Sequence, residues 1–223
     1  MPDLSQTSPA AFNCEGGLVL NRSTFMMQPG EALELQNFEP DIDGGYRRIN
    51  GFTKYNTNIV PVTSASTEEV LLSCIFNDTI IAARGQKIFT AAAGSGSWTE
   101  RDSGRTSAGV YTFERFNFDG NNKLIVADGN NAPTVFNTSF AATDVSSGGG
   151  GEVSTAVTGA KFVAVFKDHM FYAGMSSTPQ EVVFSVPFDE DDFTTGSGAG
   201  SFKVDDTITG LKVFRENLFI FCQ

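Results

Sequence analysis

The sequence predicts an all-β fold made of repeated four-stranded sheets, the design of a β-propeller. One pattern occurs four times: an apolar run closed by Phe, a short polar turn, and a second apolar run. The copies are residues 71–83, 111–127, 162–173 and 211–221, with turns at 77–78, 119–122, 167–169 and 215–217. Their anchors Phe76, Phe118, Phe166 and Phe214 are separated by 42, 48 and 48 residues. A period in the forties assembled from short strands is the signature of one four-stranded blade per repeat. Composition agrees. The chain holds 23 Gly and 21 Phe in 223 residues, and only 18% are charged, a strand-and-turn mixture. No long stretch follows a helical period. Only residues 29–37 are expected to form a helix, of about two turns with Pro29 at the first position.

Residues 1–55 stand outside the repeat and read as an N-terminal docking arm. They hold a polar leader, a Gly16-Gly17 turn, an apolar strand at 18–20, the segment 29–37, and a glycine turn feeding a short strand within 41–49. Residues 56–223 read as a partial propeller, with blades near 56–103, 104–158 and 159–205 and an incomplete one at 206–223. In the first blade, residues 75–83 give the inner hairpin, 86–91 the third strand and 98–101 the fourth. In the second, 132–136 is the third strand after the turn at 128–131, and the glycine run at 146–151 supplies a loop. In the third, 181–186 is the third strand, followed by the acidic loop 189–192. The nearly continuous apolar runs of the inner hairpins suit strands buried between neighbouring blades, and most Phe residues read as packing between them. The fourth copy reaches Gln223 inside its expected second strand. The apolar edge there is expected to be covered by further blades or by another chain.

The balance of 15 Lys and Arg against 26 Asp and Glu gives a net charge of −11. Phosphate neutralisation and attachment to anionic membranes are disfavoured on that balance. An acidic surface serves solubility, or lets DNA pass without sticking. Cys14, Cys74 and Cys222 form no short-range pair. Cys74 and Cys222 lie within apolar strand runs, so buried free thiols and a reducing cytoplasm are expected. No run approaches the ~18 apolar residues of a membrane helix, and the leader has no signal-like apolar core.

A catalytic constellation is not found. The one histidine, His169, sits in a hairpin turn, where polar residues belong. Zinc-ligand spacing is missing. The turns at 119–122 and 128–131 and the acidic run 189–192 hold oxygens suited to calcium. Asp-Gly and Asn-Asn are also the residues that tight hairpins need at positive φ, and each turn has too few ligands for a calcium loop. No glycine pattern follows a strand and opens a helix, so none reads as a nucleotide site. No catalytic residue, metal or cofactor is expected.

Four short strings carry a resemblance. They are residues 15–20 with Gly16-Gly17, residues 27–32 with Pro29-Gly30, residues 35–37 ending in Asn37, and residues 44–52 with Gly44-Gly45 and Arg47-Arg48. Together this region resembles the N-terminal part of tailed-bacteriophage virion proteins. It is similar to the nozzle (tail tubular B) type and to related propeller-bearing tail or neck proteins, those of cyanobacterial phages among them. It spans roughly a sixth of the chain, which is much shorter than a nozzle protein. The resemblance implies a structural subunit of the tail, neck or baseplate without an active site. Its partners would be other virion proteins and copies of itself in a ring or other homo-oligomer, assembled in the host cytoplasm, with room for DNA to pass through unread. Arg47 and Arg48, beside Tyr46, are candidate anchors on an acidic neighbour or plain surface residues on a short strand. Phe219 and Phe221 are candidate interface residues at the apolar edge. A carbohydrate-binding propeller module is the alternative, and a propeller glycoside hydrolase the third reading. The hydrolase requires two acids at a fixed separation, a pattern that does not stand out.

Overall fold

A computed structural model describes residues 16–42, 45–63, 68–145 and 157–223. The chain divides after Lys54 into two compact units. In the first, β1 (Gly17–Leu18) pairs in parallel with β2 (Glu31–Ala32), and β3 (Phe38–Pro40) pairs antiparallel with β4 (Tyr46–Arg48). The strand expected at 18–20 shrinks to two residues. The helix expected at 29–37 does not form; the only helical turn of this unit, among the described residues, is a 3-10 turn at Thr24–Met26. Gly30 at φ +90° and Asn37 at φ +61° break a right-handed helix at both ends. The Glu31 carboxylate accepts the Gln28 backbone N–H at 2.8 Å, which fixes a turn instead. Of the expected Gly44-Gly45 turn, Gly44 lies outside the described residues, and Gly45 at φ +79° leads into β4.

The second unit is all-β. Its first sheet is β5 (Val70–Phe76), β6 (Thr79–Arg84), β7 (Lys87–Ala92) and β8 (Thr99–Ser103). The second is β9 (Thr112–Phe118), β10 (Asn121–Ala127), β11 (Thr134–Phe136) and β12 (Ala142–Asp144). The third is β13 (Phe162–Phe166), β14 (His169–Ala173), β15 (Glu181–Phe184) and β16 (Gly200–Lys203). The fourth holds β17 (Ile208–Phe214) and β18 (Asn217–Cys222). Strands consecutive in sequence are neighbours in each sheet, and all pairs are antiparallel. The glycine run 146–151 lies outside the described residues. No helix among the described residues is long and apolar enough to cross a membrane.

The four Phe anchors do the same job in each sheet. Each is the last residue of its strand and pairs across a two-residue turn: Phe76 with Thr79, Phe118 with Asn121, Phe166 with His169, Phe214 with Asn217. Both turn residues have positive φ in every copy, from Asn77-Asp78 to Arg215-Glu216. That conformation matches the twist of a tight hairpin. Asn121, Asn122, His169 and Asn217 therefore belong to the second strands and not to the turns, a correction to the turns expected at 119–122, 167–169 and 215–217.

Strand alternation then sorts side chains onto two faces. One face carries the anchor and the fifth and seventh residues after it; the other carries the fourth and sixth. Phe76, Ile81 and Ala83 of the first sheet pack with Leu124, Val126 and Phe136 of the second. Phe118 and Ile125 of the second sheet pack with Met170 and Tyr172 of the third. Phe166, Phe171 and Ala173 of the third pack with Leu218 and Ile220 of the fourth. Each fully buried side chain of this size stabilises the fold by about 1.5–3 kcal/mol. The first strands of the later sheets approach one another, β9 against β13 and β13 against β17.

The two ends of this stack differ. On the first sheet, the face turned away from the second buries Ala82, Phe89 and Ala91. The segment 55–63 is fastened to that sheet: Arg84 donates to the Val60 carbonyl (2.5 Å), Trp98 Nε1 to the Asn58 carbonyl (3.0 Å), and the Gly94 N–H to the Tyr55 carbonyl (3.0 Å). On the fourth sheet, the face turned away from the third leaves Phe214, Phe219 and Phe221 exposed at 58%, 45% and 53%. Cys222 is exposed as well, which corrects the expectation of a buried thiol; Cys74 is buried, and both are free. The local pattern of β18 is apolar, but among the described residues no sheet packs on its outer face.

Candidate functional site

His169 is held as a packing residue. Its Nδ1 lies 2.5 Å from the Ser185 carbonyl, and its ring meets Phe184 and Phe171 edge-on. No Ser, Cys or carboxylate partner for nucleophilic catalysis is hydrogen-bonded to it among the described residues. No group of three His, Cys, Asp or Glu side chains among the described residues is arranged to hold a metal ion. The turn at 128–131 is filled from within: Asp128 accepts the Asn130 and Asn131 N–H groups (2.9 and 2.7 Å) and the Asn131 side chain (2.7 Å).

The densest polar cluster was not visible in the sequence. Arg105, 5% exposed, sits between the first two sheets. Its Nε donates to Asp102 (2.6 Å) at the end of β8. Its two terminal nitrogens reach the Ala132 carbonyl (2.7 Å), Asp128 (3.5 Å) and Asp144 on β12 (3.0 Å). Burial works against the cation, but Asp102, Asp128 and Asp144 outweigh it and raise the Arg105 pKa. Thr134 donates to Asp144 at 2.8 Å. A guanidinium whose five donors face a fixed set of acceptors acts as a rigid clamp. No motif announces it, because its carboxylates come from separate strands and turns.

The acidic run 189–192 is a second cluster. Lys123 pairs with Glu190, whose backbone carbonyl accepts the buried Tyr172 hydroxyl at 2.6 Å. Burial, a hydrogen bond to Asp189 and the charges of Asp189 and Glu190 push Asp191 up to about 6, against the pull of Lys123. Asp189, Glu190 and Asp191 line a pocket of about 430 Å³ with Asp119, Asn137 and Asp144. An open groove of about 550 Å³ lies where β9, β13 and β17 converge, lined by Phe113, Glu114, Phe162 and Lys212 among others. Burial raises the Glu114 pKa there, opposed by Lys212 at 3.9 Å. Neither place assembles an acid, a base and a nucleophile in hydrogen-bond reach.

The sequence-named surface residues fall in two places. On β4, Arg47 pairs with Glu39 across the hairpin at 2.9 Å, and Tyr46 packs edge-on against Phe38 at 5.5 Å. Arg48 is exposed and makes no ion pair among the described residues; it lines a surface hollow with Asn37, Ile49 and Phe52. Phe219 and Phe221 stand on the outer face of β18, described above. The first unit as a whole is open: among its described residues only Gly30 is buried, while Phe25, Ile42 and Phe52 are exposed at 98%, 96% and 95%. Apolar side chains are thus exposed in both places. No known family model and no curated protein matches the sequence.

Proposed function

We propose that this chain is a structural subunit of a tailed-phage virion, in the tail, neck or baseplate, and that it works through protein–protein interfaces in a symmetric assembly. The four consecutive sheets are then the blades of a β-propeller whose first strands gather toward its axis. The observation that carries the reading is the first unit. Residues 16–54 form two short strand pairs and bury no large apolar side chain among those described. A segment with no core cannot offset the chain entropy it loses on ordering. Exposed apolar surface on this scale marks a site that another molecule covers. Its resemblance to phage tail and neck proteins supplies the class of partner: other virion proteins, met during assembly in the host cytoplasm. An acidic chain of this kind fits DNA passage without specific binding.

The test is deletion of residues 1–54 from the protein in a phage that encodes it. The shortened protein is expected to keep the strand-type circular dichroism of the second unit and to be missing from purified particles. Particles that incorporate it at the normal level overturn the docking role of the first unit. An intact protein that never enters particles overturns the virion assignment itself.

A further inference from the structure

Asparagine followed by glycine occurs once in the sequence, at Asn50-Gly51. The pair lies just past β4, outside any strand or helix, and both residues are exposed. Among the described residues no hydrogen bond holds the Asn50 side chain or the Gly51 N–H. Shape does not require glycine at 51. Its φ is not positive, and an added Cβ would meet nothing within 4 Å. Most other described glycines have a positive φ or a neighbour where the Cβ would stand. The missing side chain at 51 leaves the backbone nitrogen open to the residue before it. Other asparagines are held. The Asn137 side-chain oxygen accepts the Ser139 and Ala141 N–H groups, each at 3.0 Å, and the Asn131 side chain donates to Asp128 at 2.7 Å. Asn117, Asn121 and Asn122 lie in the ladder of β9 and β10. None of these five precedes a glycine.

We propose that Asn50-Gly51 is a self-modifying site, at which the Gly51 backbone nitrogen attacks the Asn50 side-chain carbonyl carbon and residue 50 deamidates without a partner enzyme. The Gly51 N–H gives up its proton, and a new bond from its nitrogen to Cγ closes a cyclic imide. The Cγ–Nδ2 bond breaks, and the amide nitrogen leaves as ammonia with that proton. Water then opens the imide. Cleavage of the new bond gives aspartate. Cleavage of the original peptide bond gives isoaspartate, with the main chain running through the side chain. Either product carries one carboxylate where the amide stood, and water is the only co-reactant. The new charge has a cation beside it. Arg48, which makes no ion pair among the described residues, is the one charged side chain that lines the hollow shared by Asn50 and Gly51. Deamidation turns that cationic hollow neutral. Isoaspartate also adds one atom to the backbone between β4 and the second unit, which begins at Tyr55. The site does not rest on the docking role of the first unit. Docking is read by particle incorporation and deamidation by the mass of the isolated chain, so the two fail separately.

The experiment incubates the full chain for days in mildly alkaline buffer, folded and in urea, and maps its peptides by mass. The peptide holding residue 50 is expected to gain about 1 Da, the exchange of an amide NH for oxygen. It should also become a substrate for an isoaspartate-specific carboxyl methyltransferase. The rate is expected to match between the folded chain and urea, and to rise in proportion to hydroxide, since the nucleophile is the deprotonated amide. Gly51→Val is expected to keep its circular dichroism, because the position is open, and to lose most of the mass gain, because a β-branched side chain crowds the nitrogen. Asn50→Gln is expected to lose it too, since its ring is one atom larger and closes more slowly. A residue 50 that keeps its amide in the folded chain while it deamidates in urea overturns the proposal. So does a mass gain that Gly51→Val leaves unchanged, or an Asn131 or Asn137 that deamidates as fast in the folded chain.

Discussion

Replacing Arg105 with methionine keeps most of the buried stem and removes the charge. In the native chain its side chain, 4% exposed, answers Asp102, Asp128 and Asp144 together. Asp128 has the most to lose. Its side chain is fully buried, and without Arg105 it keeps, among the described residues, the neutral donors of Asn130 and Asn131. Breaking a buried ion pair from one side costs about 3–5 kcal/mol, because the remaining charge is left uncompensated. Asp144 is different: its side chain is 55% exposed, and Asp144→Asn should cost less than about 1 kcal/mol. Urea denaturation, followed by fluorescence of Trp98 and by circular dichroism, measures both. With a slope of about 2 kcal/mol per molar urea, Arg105→Met should lower the midpoint by roughly 1.5–2.5 M. Arg105→Met with Asp128→Asn should recover part of the loss, since the two residues share one network. A midpoint shift below about 0.5 M for Arg105→Met, or equal losses for Arg105→Met and Asp144→Asn, refutes the clamp.

Two further outcomes rest on the titrating groups. The Asp191 carboxyl is held near 6, above the unfolded value of about 3.9. Between those values the folded chain binds the extra proton, so the Asp191 contribution to stability is present at low pH and is lost as pH rises through 6. Asp191→Asn should therefore gain on the native chain as pH rises from about 4 to about 7; denaturation midpoints of the pair that stay parallel across that range would falsify the assignment. Burial pushes the Cys74 thiol up to about 11, opposed by Arg115, whereas Cys222 is exposed. Alkylation of the folded chain at neutral pH should label Cys222 and spare Cys74 until the protein unfolds, because the thiolate is the reactive form. Peptide mass spectrometry reads the order, and early labelling of Cys74 would contradict the buried first sheet.

The hairpins were legible because their signals are local. A Phe, two turn residues and a second apolar run fix the ladder from Phe76 to Phe214, and the alternation within each strand is carried by the same few residues. The third strands were legible for the same reason, within a residue or two. The short fourth strands β12 and β16 were not, since three or four half-polar residues such as Ala142–Asp144 look like loop until a neighbour pairs with them. The helix at 29–37 failed because Pro29 at a first helical position was weighed ahead of Gly30, whose left-handed backbone decided the matter. The open apolar edge with Phe219 and Phe221 was legible, but the exposure of Cys222 was not, because burial of a strand residue depends on what packs against it. Arg105 was missed because a lone arginine between two strands gives no pattern, and its acceptors meet only after the first two sheets have formed.

The pairing of consecutive strands has a consequence for how the second unit folds. Every sheet closes on contacts between residues near in sequence, and each apolar cluster draws on two successive sheets only. Such a chain has little loop-closure entropy to overcome before its first native contacts reward it. Its cooperativity passes from neighbour to neighbour, as in a linear array of repeats. The middle sheets, supported from both sides, should be the last to open, and the fourth hairpin the first. Hydrogen exchange should then fall in a gradient along the chain, slowest in β10 and β14 and fastest in β18.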